Sequence, residues 1–227
     1  MLPRIDYGLR NKVLQNIKMN IYDVTLTISE KLITWPSDPT VSIRKTRLIS
    51  QGNSCNVSEL KFGSHCGTHI DAPYHFEENG IKIDQIPLDY LVGSATVFDV
   101  KNKEKIDLED IKTLQFENKK RVIFKTINST YWKLSEFKKD FVYITKDAAQ
   151  HLVDSGVKVV GIDYLSVEKF GNKPADTHHI FLRNGVVLIE GLDLSNVKAG
   201  DYELIALPLK IKDCDGSPAR VILRSIL

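Results

Sequence analysis

Ser64 to Phe76 reads Ser-His-Cys-Gly-Thr-His-Ile-Asp-Ala-Pro-Tyr-His-Phe and holds half of the chain's six histidines together with an aspartate. His65, His69, Asp71 and His75 all fall on odd positions. An extended backbone alternates its side chains with period two, so it points all four to one face. On a helix, at about 100° per residue, His65 and His69 would share one side while Asp71 and His75 faced nearly the opposite one. Gly67 costs a helix backbone entropy and Pro73 removes an N–H from it. The stretch is therefore predicted to be extended or kinked, and Gly67, on the same face, leaves room for an ion or a substrate.

Neutral imidazoles and carboxylates are the usual ligands of zinc and related divalent metals, and a catalytic zinc keeps three protein ligands and an open position. His65, His69 and Asp71 meet that requirement by themselves. A second histidine cluster, His178-His179, is followed by Glu190 at the end of the apolar run Val-Val-Leu-Ile-Glu. An unpaired carboxylate there is costly to bury. A metal would offset that cost; so would a salt bridge, or water at a strand end.

The remaining composition narrows the class. A chain of 227 residues can bury a substantial core as one large domain or two small ones. Its 31 Lys and Arg against 29 Asp and Glu leave a formal charge of +2, without the basic clustering of a nucleic-acid or membrane-binding surface. No apolar run approaches the roughly 18 residues needed to span a bilayer. Met1 to Asn20 is interrupted by Arg4, Asp6, Arg10, Lys12 and Lys18 and lacks the apolar centre of a signal peptide. Cys55, Cys66 and Cys214 form no spaced framework, which fits free thiols in a reducing compartment. A cytoplasmic protein is the expectation.

Along the chain, Leu9, Val13, Leu14 and Ile17 recur at helical spacing, so residues 1–20 read as a short helix or as an arm docking on a partner subunit. Strands are predicted at Ile21–Ile28, at Val41–Ile49 and Asn56–Phe62 as a hairpin, and at Ala95–Val100. Trp35, in the turn Thr34-Trp35-Pro36-Ser37-Asp38-Pro39, either caps the core or lines a pocket. A short helix is predicted at Asp107–Leu114, buried strands at Arg121–Lys125 and Val142–Ile144, and a surface helix or loop at Thr130–Lys139. Thr145 is placed to cap a helix running through Asp154 and closed by Gly156, before the apolar strand Val157–Ile162. A short helix at Ala175–Arg183, a strand at Val186–Ile189 and final strands at Tyr202–Leu207 and Ala219–Ile226 complete an α/β chain richer in strands than helices, with residues 21–227 as a single domain.

His-Cys-Gly-Thr-His-Ile-Asp-Ala-Pro-Tyr-His resembles the His-x-Gly-Thr-His-x-Asp-x-Pro-x-His signature of the cyclase-like metal-dependent hydrolases, the group that includes bacterial kynurenine formamidase and isatin hydrolase. Trp35-Pro-Ser-Asp-Pro resembles that family's Trp-Pro-Gly-Asp loop, with Ser37 in place of glycine. Gly161-Ile-Asp-Tyr-Leu-Ser, His178 through Glu190 to Leu192, Leu207-Pro-Leu and Asp215-Gly-Ser-Pro-Ala-Arg are similar to its later elements in the same order. The resemblance implies a swivelling β/β/α domain in which strands enclose the metal site, usually assembled as a homodimer or larger. It implies His65, His69, Asp71, His178 and Glu190 as metal ligands and His75 as acid/base, with His179 a neighbour on the outer face or a supporting group. Five donors exceed the need of one tetrahedral ion, which points to two ions sharing a carboxylate, although one ion is also compatible; zinc and manganese both suit the mixed donors.

The reaction so implied is hydrolysis of a small-molecule amide, the removal of formate from an N-formylated aromatic amine such as N-formyl-kynurenine. Imidazole, with its ordinary pKa near about 6.5, suits the proton shuttle. Trp35, Phe62 and Tyr74 are candidates for aromatic pocket walls, and equally for core. Ring opening of a cyclic amide, as in isatin hydrolase, is the rival enzyme reading. A non-catalytic protein stapled by metal is the rival from another class, but structural zinc sites are usually cysteine-rich and saturated.

Overall fold

The computed structural model of the protein describes residues 19–100, 103–116 and 118–226. The helix or arm expected over residues 1–20 falls, apart from its last two residues, outside the described residues. The strands are β1 (Ile21–Asp23), β2 (Ser42–Arg47), β3 (Val57–Lys61), β4 (His69–Asp71), β5 (Val92–Asp99), β6 (Lys105–Ile106), β7 (Arg121–Lys125), β8 (Tyr143–Ile144), β9 (Val159–Ile162), β10 (Val187–Glu190), β11 (Gly200–Pro208) and β12 (Gly216–Ser225). Four helices lie between them: α1 (Leu88–Leu91), α2 (Leu108–Lys112), α3 (Lys146–Asp154) and α4 (Asp176–Arg183). The strand-rich α/β architecture expected from the sequence is the one observed.

The main sheet runs β1-β12-β11-β5-β7-β9-β10-β4, and β4 also pairs with β12, so all of its strands except β1 close into a barrel. β5, β7, β9 and β10 are parallel neighbours, whereas β11, β12 and β4 join antiparallel. The parallel strands are short apolar runs because both of their faces are covered. Ile123, Val159, Val187 and Ile189 point into the barrel with Leu204, Val221 and Ile70. Val122, Phe124, Val160, Ile162 and Leu188, one residue out of step, point outward to Ala148, Leu152 and Phe181 of α3 and α4. Thr145 caps α3 through Ala148 N and Gly156 follows it at φ +82°, as the sequence indicates.

One expectation changes. The predicted strand Ile21–Ile28 pairs only over Ile21–Asp23, with a single further bridge from Thr25 to Leu192. The reason is competition for one edge: β1 takes Ile222–Arg224 of β12, and β4 takes Gly216–Pro218. The hairpin β2–β3 forms as predicted, in register Ser42 to Lys61, but its alternation buries almost nothing. Ile49, Val57 and Leu60 on this hairpin are exposed. Among the described residues, no helix is long and apolar enough to cross a membrane.

Candidate metal centre

The signature stretch is extended only over β4. Gly67 turns the chain at φ +66°, and Pro73–His75 forms a 3-10 turn closing at Phe76, so of the two forms expected, extended or kinked, the stretch takes the kinked one, a short strand flanked by two turns. The kinks preserve the convergence. Ile70 points into the barrel, so His69 and Asp71 point the other way, towards α4. His65 enters from the preceding turn and His75 from the following one, and their rings stack with centroids 3.8 Å apart.

Register then brings in the distant donors. His69 lies opposite Glu190 of β10, and Asp71 opposite Leu188 and Gly216. Close approach of the two loops needs glycine: a Cβ on Gly191 would sit 2.1 Å from the Gly67 carbonyl oxygen. That same carbonyl lies 2.8 Å from His69 Nδ1 and accepts its proton, which leaves Nε2 facing Asp71 Oδ1 at 3.4 Å and Glu190 Oε2 at 3.5 Å. His65 Nδ1 is 2.7 Å from Asp71 Oδ1. On the other side, His178 Nε2 lies 3.5 Å from Glu190 Oε1 and 3.9 Å from Asp71 Oδ2. Asp71 therefore turns Oδ1 to His65 and His69 and Oδ2 towards His178.

This donor set fits a divalent cation. Ligand atoms of His65, His69 and Asp71, and those of Asp71, His178 and Glu190, all lie within 4.8 Å of one another in each group. Asp71 Oδ2 is buried without a hydrogen-bond partner among the described residues, an expensive state for a carboxylate that a cation would relieve. The charges agree. Burial alone would raise the Asp71 carboxyl, but the His65 and His75 imidazoles hold it well below the usual range. Against burial, which lowers them, His65 is drawn up to about 9 by Asp71 and Asp215, His69 to about 10 by Asp71 and Glu190, and His178 to about 9 by Glu168 and Glu190. Buried carboxylates demand positive charge, whether from protons on histidine or from a metal.

A cavity of about 460 Å³ opens onto the cluster, lined by Trp35, Phe76 and Leu165 on its apolar side and by His75, Asp38 and Lys173 among its polar groups. Trp35 satisfies both of its readings, since it lines this cavity and packs edge-on against Phe137. Phe62 and Tyr74 do not line it. Phe62 faces a separate hollow with Leu26 and Leu207. Tyr74 lies under the Lys82 ammonium, 4.8 Å from the ring centroid. In a 3-10 turn adjacent side chains diverge by about 120°, so a turn that aims His75 at the cluster carries Tyr74 away from it. His179 points outward to Glu77, 2.7 Å away.

Four residues of the site escape the sequence reading. Phe76 stacks on His178, with centroids 4.5 Å apart and planes 17° from parallel. Glu168 accepts from Thr177 N at 2.8 Å and His178 N at 3.3 Å, so it caps α4, whose own first residue is preceded by an alanine unable to do so. Asp38, raised by burial, faces the cavity from a loop in which Ser37 adopts φ +87°. Asp215 contacts His65. Each stood inside or beside a recognised motif, but nothing in the spacing ranked it above its neighbours.

The Cyclase family model matches residues 22–169. A kynurenine formamidase of Bacillus cereus is 34% identical over 204 residues, covering 90% of this chain and 97% of that protein. The structure of a predicted metal-dependent hydrolase from Bacillus stearothermophilus superposes with a TM-score of 0.80 at 34% identity, covering 92% of this chain and 99% of the other. Isatin hydrolase A of Labrenzia aggregata shares the fold, with a TM-score of 0.78 at 22% identity over 96% and 99% of the two chains. With the family model spanning more than half its length and relatives matching it nearly end to end, the chain belongs to the Cyclase family of metal-dependent hydrolases.

Proposed function

We propose that the protein is a metal-dependent amide hydrolase that releases formate from an N-formylated aromatic amine, with N-formyl-kynurenine as its substrate. The observation that carries this reading is the sharing of Asp71: two groups of donors have it in common, one of its oxygens has no hydrogen-bond partner among the described residues, and the His65, His69, His178 and Glu190 around it line a cavity with His75 and aromatic walls. The relatives named kynurenine formamidase support the substrate class. His65, His69 and Asp71 would hold one ion and Asp71, His178 and Glu190 a second, zinc or manganese.

When bound, such ions supply Lewis-acid polarisation of a carbonyl and acidification of water. The chain's own residues do the rest. Trp35 and Phe76 flank the space an aromatic ring would occupy and exclude water from it. His75, stacked on His65 and open to the cavity, carries a proton to the leaving nitrogen, a contribution typically worth about 10² to 10⁴ in rate. The exposed β2–β3 hairpin, with Ile49, Val57 and Leu60, supports a homodimer in which a second copy covers it. Light scattering on the eluting protein tests that assembly.

Metal analysis combined with turnover on N-formyl-kynurenine and on isatin tests the function. Chelator-sensitive release of formate from N-formyl-kynurenine, restored by zinc or manganese, is the expected result. Preferential opening of isatin would move the protein to the cyclic-amide class. Stoichiometric metal without hydrolysis of any amide would leave the ions as structural staples.

A further inference from the structure

Asp215 stands at the entry to β12, and its carboxylate does something unlike an ordinary turn aspartate: among the described residues it accepts hydrogen bonds only from side chains. Oδ2 lies 2.7 Å from His65 Nε2 and 3.6 Å from His75 Nδ1, and receives Ser64 Oγ at 3.2 Å. Oδ1 receives the Cys214 thiol at 3.3 Å. The backbone fixes this placement, since Asp215 O accepts from Ala72 N at 2.9 Å, directly beyond β4. The next residue must be glycine, because a Cβ on Gly216 would meet His65 Cε1 at 2.8 Å and Ile70 O at 2.9 Å. The Asp215-Gly216 pair is thus shaped around the His65 ring, with the His75 ring stacked behind it.

We propose that Asp215 is a positioning residue that sets the tautomers of both stacked histidines, turning Nδ1 of His65 towards Asp71 and Nε2 of His75 towards the cavity. The inference rests on the reading of His65 as a ligand and His75 as the proton shuttle. A neutral imidazole carries one N–H, and the group that accepts that proton decides which nitrogen keeps its lone pair. Both nitrogens of His65 lie 2.7 Å from a carboxylate, Nε2 from Asp215 and Nδ1 from Asp71; with a cation bound in place of the Nδ1 proton, Asp215 would keep the proton on Nε2 and leave the Nδ1 lone pair for the cation. Asp215 Oδ2 faces Nδ1 of His75 at 3.6 Å, an ion-pair rather than a hydrogen-bond distance, and its charge favours a proton on that nitrogen, which leaves Nε2 as the one that works on the substrate. One oxygen thereby gives two imidazoles, 3.8 Å apart and chemically identical, opposite duties. Such carboxylate support of a metal-binding histidine is worth about 10- to 100-fold in metal affinity or activity.

The test is Asp215→Asn, which keeps shape and volume, alongside Asp215→Ala, each compared with the unaltered protein by thermal melting to establish folding. Zinc affinity is read by chelator competition, ring tautomers by two-bond ¹H–¹⁵N correlation of the histidines in the zinc-loaded protein, and kcat and KM on N-formyl-kynurenine at saturating zinc. Expected are zinc binding weaker by about 10- to 100-fold, loss of the Nδ1–H signature of His75, and a kcat lower by about 10-fold or more with KM little changed. Unchanged affinity and unchanged tautomers in both variants would overturn the proposal. So would an intact kcat at saturating zinc, which would confine Asp215 to His65. If the unaltered protein hydrolyses no amide, the formamidase reading fails, while affinity and tautomers still decide the role of Asp215.

Discussion

The two halves of the donor cluster are assembled in different ways. His65, His69 and Asp71 come from one short stretch and are aimed by backbone, through the Gly67 turn, the Gly67 carbonyl on His69 and the pleat of β4. His178 and Glu190 come from α4 and β10 and are aimed by packing: Phe76 on the His178 ring, Val167 N on Glu190 Oε1, and Glu168 on the start of α4. The open edge of the cluster belongs to the signature stretch, through His65 and His75, whose side chains are 15% and 28% exposed. The other local donors, His69 and Asp71, are closed at 1% each, as are His178 at 6% and Glu190 at 3%. The side that substrate can reach is thus set by His65 and His75, and the side that does not yield is built from both halves.

Among the described residues Asp71 is the one common to the His65–His69 and His178–Glu190 donor groups, so on the proposed reading its loss should be the most damaging. Asp71→Asn is expected to empty both groups of donors of metal and to lower kcat/KM by more than the roughly 10⁴-fold ceiling of acid–base catalysis. Metal analysis beside kinetics checks this, and a fully loaded, fully active variant would remove Asp71 from the ligand set. His75→Ala should keep its metal and lose about 10² to 10⁴ in kcat. If metal departs instead, His75 is a ligand and the proton shuttle lies elsewhere.

The same contrast explains what could be read in the sequence. The buried strands β7, β9 and β10 and the helix α3 were legible because apolar runs, a threonine cap and a closing glycine are local signals. The local donors were legible for the same reason, although spacing by itself left open how much of the stretch is strand and how much is turn. His178 and Glu190 stood out in the sequence as a second histidine cluster and a carboxylate ending an apolar run, but their joining to the local donors came through the family resemblance, because nothing local reveals that β4 lies beside β10. Glu168, Phe76 and Asp215 depend on contacts across the fold, and a carboxylate that caps a helix eight residues ahead looks in sequence like any surface acid. Phe62 and Tyr74 show the converse: aromatic residues near a motif whose direction is set by turn geometry rather than by proximity.

The closed donors and the open His65 should also differ in what they contribute to folding. His178→Ala leaves Glu190 and Glu168 buried with a partner removed, and breaking such a buried pair costs about 3–5 kcal/mol. His65→Ala, on the open side where water can reach Asp215, should cost less. Urea unfolding of the chelator-treated variants measures both, and equal losses would erase the distinction between them.

The smallest expected effect separates the open and closed donors by pH. In the metal-free protein His65 and His178 are drawn up to about 9 and His69 to about 10, above the ordinary 6.5, by the carboxylates around them. A group held above its unfolded value stabilises the fold fully below that value, and the contribution is lost as pH rises through the folded one. Asp71 and Glu190 are held below their ordinary values despite burial, so their contribution is complete above those values and is lost only in acid. The melting temperature of chelator-treated protein should therefore fall between about pH 7 and pH 10, while metal-loaded protein, whose histidines bind as neutral ligands, should show little of that fall. In His65→Ala the remaining fall belongs to His69 and His178, so its size relative to the unaltered protein apportions the effect between the open and closed sides. A metal-free melt that stays flat across that range would mean that the carboxylates are not balanced by protonated histidines, and the charge argument for a divalent cation in the cluster would lose its support.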